Sequence, residues 1–192
     1  MSRFATGVLC GGRSARMGRP KESLDLGGRT YLDLAVERSG GPNVFLSTGD
    51  SVVEYAGCVA VLDRRPGCGP LGGLDALLAA CDADWLIVSP VDCPLLAAND
   101  LASLRRVAED GRDDAVVTRT PDGVHFTVAA YRVDTASAAV TAMLGEDVRR
   151  LDRLADRLRV RFLDAADPAR LLNVNTPADA AEACRRTAAR SS

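Results

Sequence analysis

The chain has 192 residues, of which 47% are hydrophobic and 26% are charged, and its formal net charge at pH 7 is −2. These values are typical of a globular protein with a sizeable core, and the charge argues against a general nucleic-acid-binding surface. No apolar run has the length of a membrane span or of a signal-peptide core. We therefore expect a cytoplasmic protein with no nucleic-acid or membrane partner, with one domain over residues 1–187 and a frayed tail over 188–192.

The first predicted strand, residues 4–9, is followed by a loop rich in glycine and basic side chains, LCGGRSARMGRPK at 9–21. Glycine has no Cβ, so the backbone can turn sharply and a ligand can approach it closely. Successive backbone N–H groups in such a loop can form an anion-binding nest. The loop matches neither the Walker A pattern nor G-x-G-x-x-G. It predicts a polyphosphate site, and an ordinary solvated turn is the alternative.

Strand-like and helix-like runs alternate through the first half of the chain. Helices are predicted at 31–39 and 70–81, and strands at 44–47, 59–62 and 85–88. The last of these strands is almost entirely apolar, which is typical of a strand buried on both faces of a parallel sheet. The alternation predicts an α/β fold with a doubly wound, mostly parallel, Rossmann-like sheet.

The second half is less regular. A pair of strands around the turn Pro121–Gly123 predicts a small antiparallel addition to the sheet. A helix capped at Asn99-Asp100 is expected to run to about Glu109, and a last helix is expected to begin at Thr176-Pro177. Further elements are predicted as strands at 115–119, 126–132 and 159–163, and as helices at 134–144 and 147–158.

Three candidate ligand-binding features each follow a predicted strand: the first loop, Asp63 and Asp92. Ligands of doubly wound sheets bind at the carboxyl ends of the strands, so one crevice can hold all three. Two prolines rigidify the turn around Asp92, and its carboxylate suits Mg²⁺ together with substrate phosphates. The alternative is that Asp92 caps the turn.

Three further features leave two interpretations open. The small residues of GPLGG at 69–73 suit either a base lying flat against them or close packing of a helix on the sheet. Asn173 and Asn175 would point to the same side of an extended segment, where they could bind a polar ligand or serve a turn. The only histidine, His125, is expected to be exposed or structural, and no arrangement supports covalent catalysis.

The six cysteines fit no zinc template. In the expected cytoplasmic location their thiols should be reduced, and we expect several of them to pack as small hydrophobic groups. Arg149, Arg150 and Arg153 could form a basic helix face, although a solvated face is the favoured interpretation.

Four segments in order resemble the molybdenum cofactor guanylyltransferase family. LCGGRSARMGRPK is similar to that family's L-A-G-G-x-S-x-R-M-G-x-x-K, GPLGG to G-P-L-A-G, PVDCP to C-D-x-P, and NVNTP to N-[VI]-N-T-P. The chain departs from the family's usual residues at four places. Cys10 stands in place of alanine, Val91 stands in place of the cysteine before Asp92, and Ser47 stands where asparagine is frequent. The segment His125–Thr127 only partly matches the family's histidine- or glutamate-proline pattern.

The resemblance implies a nucleotidyltransferase that uses GTP, Mg²⁺ and molybdopterin, and possible contact with an acceptor molybdoenzyme or other cofactor-synthesis proteins. Arg16, Lys21 and Asp92 would be catalytic, and Asp92 would carry the metal. Asn173 and Asn175 would face the pterin. The residues implied for GTP binding are Leu9, Cys10, Gly11, Gly12, Lys21, Asp63 and Asp92.

The reaction implied is transfer of GMP from GTP to the phosphate of molybdopterin, with release of pyrophosphate. A cytidylyltransferase for the same pterin is the nearest alternative. Cytidylyltransferase relatives resemble L-A-A-G and D-x-D-T-P at the positions where this chain has Gly11-Gly12 and the asparagines at 173 and 175, which argues against that alternative. A sugar-1-phosphate nucleotidyltransferase is a weaker rival. A non-catalytic module that binds or delivers the cofactor is the alternative of another class, and the presence of both Lys21 and Asp92 argues against it.

Overall fold

The computed structural model describes residues 3–10, 20–41, 43–49 and 54–190. Its strands form one seven-stranded sheet in the order β3-β2-β1-β4-β6-β5-β7. Their bounds are Phe4–Leu9 (β1), Val44–Ser47 (β2), Cys58–Val61 (β3), Trp85–Pro90 (β4), Ala115–Thr120 (β5), Gly123–Arg132 (β6) and Val160–Asp164 (β7).

Five α-helices and three short 3₁₀ turns connect these strands within the described residues. The helices are Tyr31–Ser39 (α1), Gly69–Ala80 (α2), Ala98–Ala108 (α3), Val133–Gly145 (α4) and Pro177–Arg190 (α5), and the 3₁₀ turns are Lys21–Ser23, Leu151–Asp156 and Pro168–Leu171. None of the helices in this described part is long and apolar enough to cross a membrane.

Strands β1 to β4 pair in parallel, which confirms the predicted doubly wound, mostly parallel sheet. The predicted antiparallel pair is also present. Strand β6 is antiparallel to both β4 and β5, and β7 returns parallel to β5. Strand β6 therefore lies inside the sheet, between β4 and β5. The strands β6, β5 and β7 together extend the sheet beyond β4.

Helices cover both faces of the sheet. Helices α2 and α4 pack on one face, where they meet residues such as Leu9, Leu86 and Val88. Helices α1, α3 and α5 cover the other face, where Val8 and Ile87 are buried. Because neighbouring residues of a strand point to opposite faces, every residue of β4 is buried. The apolar run that predicts this strand is explained by this double cover.

Helix α1 begins at a capping box. The Thr30 hydroxyl accepts a hydrogen bond from the Asp33 N–H (3.0 Å), and the Asp33 carboxylate accepts one from the Thr30 N–H (2.8 Å). Helix α1 ends at Gly40, whose φ of 63° lies in the left-handed region. Hydrogen bonds from Thr30 and Tyr55 lower the pKa of Asp33.

The helix predicted over 147–158 is wrong. Asp147 adopts a positive φ of 59°, and only Leu151–Asp156 forms a helical turn, of the 3₁₀ type. Val148, Leu151 and Leu154 recur every third residue and pack on the core. That spacing also matches the three-residue period of a 3₁₀ helix, so it does not require an α-helix.

Two helix boundaries differ in detail from the prediction. Helix α3 starts at Ala98, and Asp100 stabilises its start by accepting a hydrogen bond from the Ala97 N–H (2.9 Å) rather than by standing at the N-cap. Helix α5 continues to Arg190, through the first three residues of the segment predicted to be frayed. The single-domain assignment to 1–187 stays a prediction.

Candidate active site

The candidate site lies at the carboxyl edge of β2, β1 and β4. Backbone pairing continues past the ends of these strands, because the Cys10 N–H donates to the Ser47 carbonyl (2.8 Å) and the Val91 N–H donates to the Leu9 carbonyl (3.0 Å). The turns after β1 and β4 are therefore held side by side. Asp92 follows directly in the second of these turns.

Lys21 joins two segments that are distant in sequence. Its Nζ lies 2.7 Å from Oδ2 of Asp92 and 2.5 Å from Oδ1 of Asn175. The Lys21 and Asp92 side chains are only 17% and 18% exposed, so their charges interact with limited solvent screening. The structure thus brings together three of the residues singled out in the sequence.

Asn173 and Asn175 lie on the same side of their segment, as their alternate spacing predicts. The Asn175 amide donates to Oδ1 of Asn173 (3.0 Å), and both residues are exposed. The Val174 N–H between them donates to the Asp92 carbonyl (2.8 Å). This backbone bond holds the asparagine segment directly against the Asp92 turn.

The same segment leads into α5 through a second capping arrangement. The Asp179 carboxylate accepts hydrogen bonds from the N–H groups of Asn175 (3.0 Å) and Thr176 (2.8 Å), and its own N–H donates to the Thr176 hydroxyl (3.2 Å). The backbone hydrogen bond from Asn175 is the main cause that lowers the pKa of Asp179. Turn chemistry therefore fixes the backbone here, while the two amide side chains stay exposed at the site.

The second carboxylate oxygen of Asp92 has the environment of a cation ligand. Oδ1 is buried and accepts no hydrogen bond from any atom of the described residues. An orphaned, anionic oxygen inside a protein is costly unless a cation or donor reaches it. No cluster of three or more His, Cys, Asp or Glu residues in the described ranges could hold a metal. A metal at Asp92 would therefore need substrate phosphates or water as further ligands, which is the usual binding mode of Mg²⁺.

Gly72 and Gly73 allow α2 to pack closely against the site. A Cβ on Gly73 would lie 2.6 Å from Oγ of Ser47 and 2.9 Å from Cδ2 of Leu9. A Cβ on Gly72 would lie 3.5 Å from Oδ2 of Asp63 and 3.0 Å from Cβ of Cys68. The structure thus shows the close packing of α2 on the sheet, and a base lying against GPLGG stays a prediction.

Asp63 and Ser47 are adjacent at the end of this sheet edge. The Ser47 hydroxyl donates to Oδ1 of Asp63 at 3.4 Å, and Ser47 itself is 2% exposed. Ser47 thus bridges the Asp63 turn and Gly73. The assignment of Asp63 to the nucleoside stays a prediction.

Arg38 is a residue of the site region that the sequence reasoning missed. It is 5% exposed, and its guanidinium donates to the carbonyls of Pro90 (2.5 Å) and Cys93 (3.0 Å), on either side of Asp92. Burial lowers the pKa of Arg38 to about 10, so it remains protonated at neutral pH. A signal was available: Arg38 falls three residues after Ala35 on the buried stripe of α1.

Cys10 and Cys93 are buried beside the site, and all six cysteines are free thiols. Burial raises the pKa of each of these two thiols to about 12, so both are neutral at physiological pH. A protonated thiol is neither a nucleophile nor a good metal ligand. These two cysteines therefore act as small packing groups, as expected.

The remaining candidate residues have local partners away from the site. His125 lies 2.9 Å from the Thr120 hydroxyl across the β5–β6 hairpin, and burial lowers its pKa. Arg149, Arg150 and Arg153 each form an ion pair with a nearby aspartate. They do not form a basic helix face, since this segment is not an α-helix.

Three of the predicted site residues, Gly11, Gly12 and Arg16, lie outside the described residues. Their roles in GTP binding and catalysis stay predictions.

The chain is similar to known proteins over most of its length. A family model described as the MobA-like NTP transferase domain matches residues 6–170. A molybdenum cofactor guanylyltransferase from Xanthomonas euvesicatoria pv. vesicatoria is 35% identical over 179 residues, which cover 88% of this chain and 88% of that protein.

Solved structures share the fold. Molybdopterin-guanine dinucleotide biosynthesis protein A from Archaeoglobus fulgidus has a TM-score of 0.83 at 19% identity, covering 96% of this chain and 98% of that one. Rv0371C from Mycobacterium tuberculosis, solved in complex with manganese, has a TM-score of 0.64 at 23% identity, covering 96% and 99%. At 19% and 23% identity these likenesses show the fold alone, whereas the family model and the 35% identical relative show the family. The chain therefore belongs to the MobA-like NTP transferase family.

Proposed function

We propose that this protein transfers GMP from GTP to the phosphate of molybdopterin, forming the guanine dinucleotide of the molybdenum cofactor and releasing pyrophosphate. The observation that carries the proposal is the contact of Lys21 with both Asp92 and Asn175 at the carboxyl edge of the sheet. Lys21 lies between the Asp92 carboxylate and an exposed amide pair, an arrangement that suits an ammonium group that binds phosphates beside a metal. The 35% identical guanylyltransferase relative supports the choice of substrates.

Mg²⁺ is the metal that we propose for Asp92. The buried Oδ1, which accepts no hydrogen bond from the described residues, fits a cation ligand. When bound, the metal supplies neutralisation of phosphate charge and orientation of the phosphates.

Lys21 would bind the phosphates of GTP, and Arg16 would assist it. In the reaction, a phosphate oxygen of molybdopterin forms a bond to the α-phosphorus of GTP, and the bond from that phosphorus to the bridging oxygen of pyrophosphate breaks. The nucleophile is already anionic, so no general base is needed. Alignment and fixed positive charge are what the protein must contribute. The Lys21 ammonium, held by Asn175, meets that need.

Two groups of residues would recognise the two substrates. The backbone of Leu9, Cys10, Gly11 and Gly12 would bind the guanine nucleotide, together with Asp63, which lies at the same edge and accepts a hydrogen bond from Ser47. Asn173 and Asn175 would face the pterin. In support of this division, Lys21 contacts both the amide pair and Asp92, and the turn that carries Asp92 is paired with the end of β1 through the Val91 N–H and the Leu9 carbonyl.

The proposal extends to partners and location. A product of this kind is passed on to a molybdoenzyme, so we propose transient contact with such an acceptor or with other cofactor-synthesis proteins. A cytoplasmic location would suit a biosynthetic step of this type.

The test is transfer by the purified protein with molybdopterin, Mg²⁺ and either GTP or CTP. We expect product with GTP and at least tenfold less with CTP. Asp92→Ala and Lys21→Ala should fold but lose turnover. Asp84→Ala is the matched control, because Asp84 is exposed and precedes the opposite end of the same strand.

Normal guanylyl transfer by Asp92→Ala would overturn the mechanism. Preference for CTP would replace the proposed substrate. Pterin binding without any dependence on GTP or Mg²⁺, measured by calorimetry, would favour the non-catalytic binding module.

A further inference from the structure

Helix α1 carries a buried charge that the proposed function does not use. Arg38 is 5% exposed on a helix face that otherwise packs against the apolar side of the sheet. A buried ion pair or buried charge is rarely a net gain in stability over an apolar side chain of similar size. The presence of arginine here therefore needs another reason.

We propose that Arg38 is a positioning residue, which fixes the turn 90–93 so that the Asp92 carboxylate is held in the geometry needed for the divalent cation. This inference rests on the proposed metal-dependent transfer.

The contacts of the guanidinium define this role. Two of its nitrogens bind the Pro90 and Cys93 carbonyls at 2.5 and 3.0 Å, so one rigid planar group bridges the residues on either side of the Val91-Asp92 step. The fork of donors in arginine matches two separate acceptors, which the single ammonium of lysine cannot do with the same geometry. Loss of Arg38 would leave the Pro90 carbonyl without this donor and free the turn to relax.

The same helix also supports Lys21. The Tyr31 N–H, in the first turn of α1, donates to the Leu24 carbonyl (2.8 Å), and the Leu24 N–H donates to the Lys21 carbonyl (3.1 Å). Helix α1 is therefore bonded through its start to the Lys21 segment and through Arg38 to the Asp92 turn. One rigid element sets the relative positions of the two charged groups that meet at 2.7 Å.

The test compares Arg38→Met, Arg38→Lys and Leu154→Ala with the wild type. Leu154 is fully buried under the opposite face of the sheet, in the cluster with α2 and α4, so its truncation destabilises the protein without touching the Asp92 turn. Mn²⁺ is the probe. Its affinity is measured by electron paramagnetic resonance, and its proximity to the turn by broadening of the Val91, Asp92 and Cys93 amide signals in NMR spectra.

We expect Arg38→Met to weaken Mn²⁺ binding by about tenfold or more, as loss of outer-sphere support does at other metal sites. In the transfer assay kcat should fall by a similar factor, while KM for GTP stays within about threefold. Arg38→Lys should recover part of both losses, and Leu154→Ala should change neither. If Arg38→Met does not fold, Arg38→Lys carries the test through its intermediate Mn²⁺ affinity.

Two results would overturn the inference. One is wild-type Mn²⁺ affinity and kcat in Arg38→Met, or in Arg38→Lys if the methionine variant does not fold. The other is an equal loss in Leu154→Ala, which would mean that general destabilisation is the cause. A wild-type protein that binds Mn²⁺ at the turn but transfers no GMP would refute the proposed function instead, and the Mn²⁺ measurements on the variants would still decide the role of Arg38.

Discussion

The contact between Lys21 and Asp92 makes a quantitative prediction that a double-mutant cycle can test. The perturbations are Lys21→Met and Asp92→Asn, made separately and together. In Lys21→Met the Asp92 carboxylate loses the only hydrogen-bond donor that the described residues supply to it. In Asp92→Asn the ammonium of Lys21 keeps Asn175 as its partner. The two single variants should therefore differ in their free energy of unfolding, and Lys21→Met should be the less stable of the two.

The magnitude follows from the separation and the burial of the pair. At 2.7 Å and an effective dielectric constant of about 20, the Coulomb attraction is about 6 kcal/mol before desolvation. Desolvation of two side chains that are only 17% and 18% exposed offsets much of this attraction. We expect a net coupling free energy of about 1.5–3 kcal/mol, the range for hydrogen bonds between charged groups.

The assay is urea unfolding of the four proteins at low salt with a chelator present, so that no divalent cation replaces the lysine charge. The pair Arg119–Asp164 is the matched control, because its atoms are 2.8 Å apart but its side chains are 48% and 75% exposed. A cycle on that pair should give less than about 1 kcal/mol. A coupling for Lys21 and Asp92 no larger than that of the control would refute the reasoning from burial.

Two further predictions concern the packing and the pH dependence of the fold. Gly73→Ala should be less stable than Gly145→Ala by about 1–3 kcal/mol in urea unfolding, because both gain helix propensity but only the first overpacks; a Cβ at Gly145 has no neighbour within 4 Å. Equal stability of the two variants would contradict this. The side-chain hydrogen bond from Arg159 lowers the pKa of Asp114 in the folded state. Its stabilisation is therefore present above the unfolded pKa of about 3.9 and lost as pH falls through the folded value, so Asp114→Asn should lower the urea midpoint at pH 7 and should lower it progressively less as the pH falls below about 3.9. A midpoint difference independent of pH would count against this assignment.

The placement of Lys21, Asp92 and the two asparagines at one sheet edge could be foreseen from the sequence. Asp92 follows an apolar strand of the kind that parallel sheets bury, and the carboxyl ends of such strands meet along one edge. The resemblance to the guanylyltransferase motifs then implied that the two asparagines belong to the same site. Their contact distances depend on side-chain geometry that no spacing rule contains.

Two features were not predicted from the sequence, for different physical reasons. A periodicity of three at Val148, Leu151 and Leu154 fits more than one helix type, and the left-handed Asp147 decides against an α-helix. Arg38 was missed because an analysis of hydrophobic periodicity assigns no role to a charged residue on a buried helix face. In the structure its guanidinium binds two backbone carbonyls of a turn 52 and 55 positions away. Long-range partners of this kind follow only from tertiary structure.

The large sequence separation between Lys21 and its two partners has a consequence for folding during synthesis on the ribosome. Its two partners lie 71 and 154 positions further on. At about 5–20 residues per second, the partner 154 positions away emerges roughly 8–30 s after Lys21 itself. The nascent chain can pair β1 with β2 well before that moment, but it cannot hold the lysine against the Asn175 amide. Competence of the site is therefore acquired at the end of translation, when the last helix docks, and a chain cut short before residue 175 would keep several strands of the sheet without the assembled site.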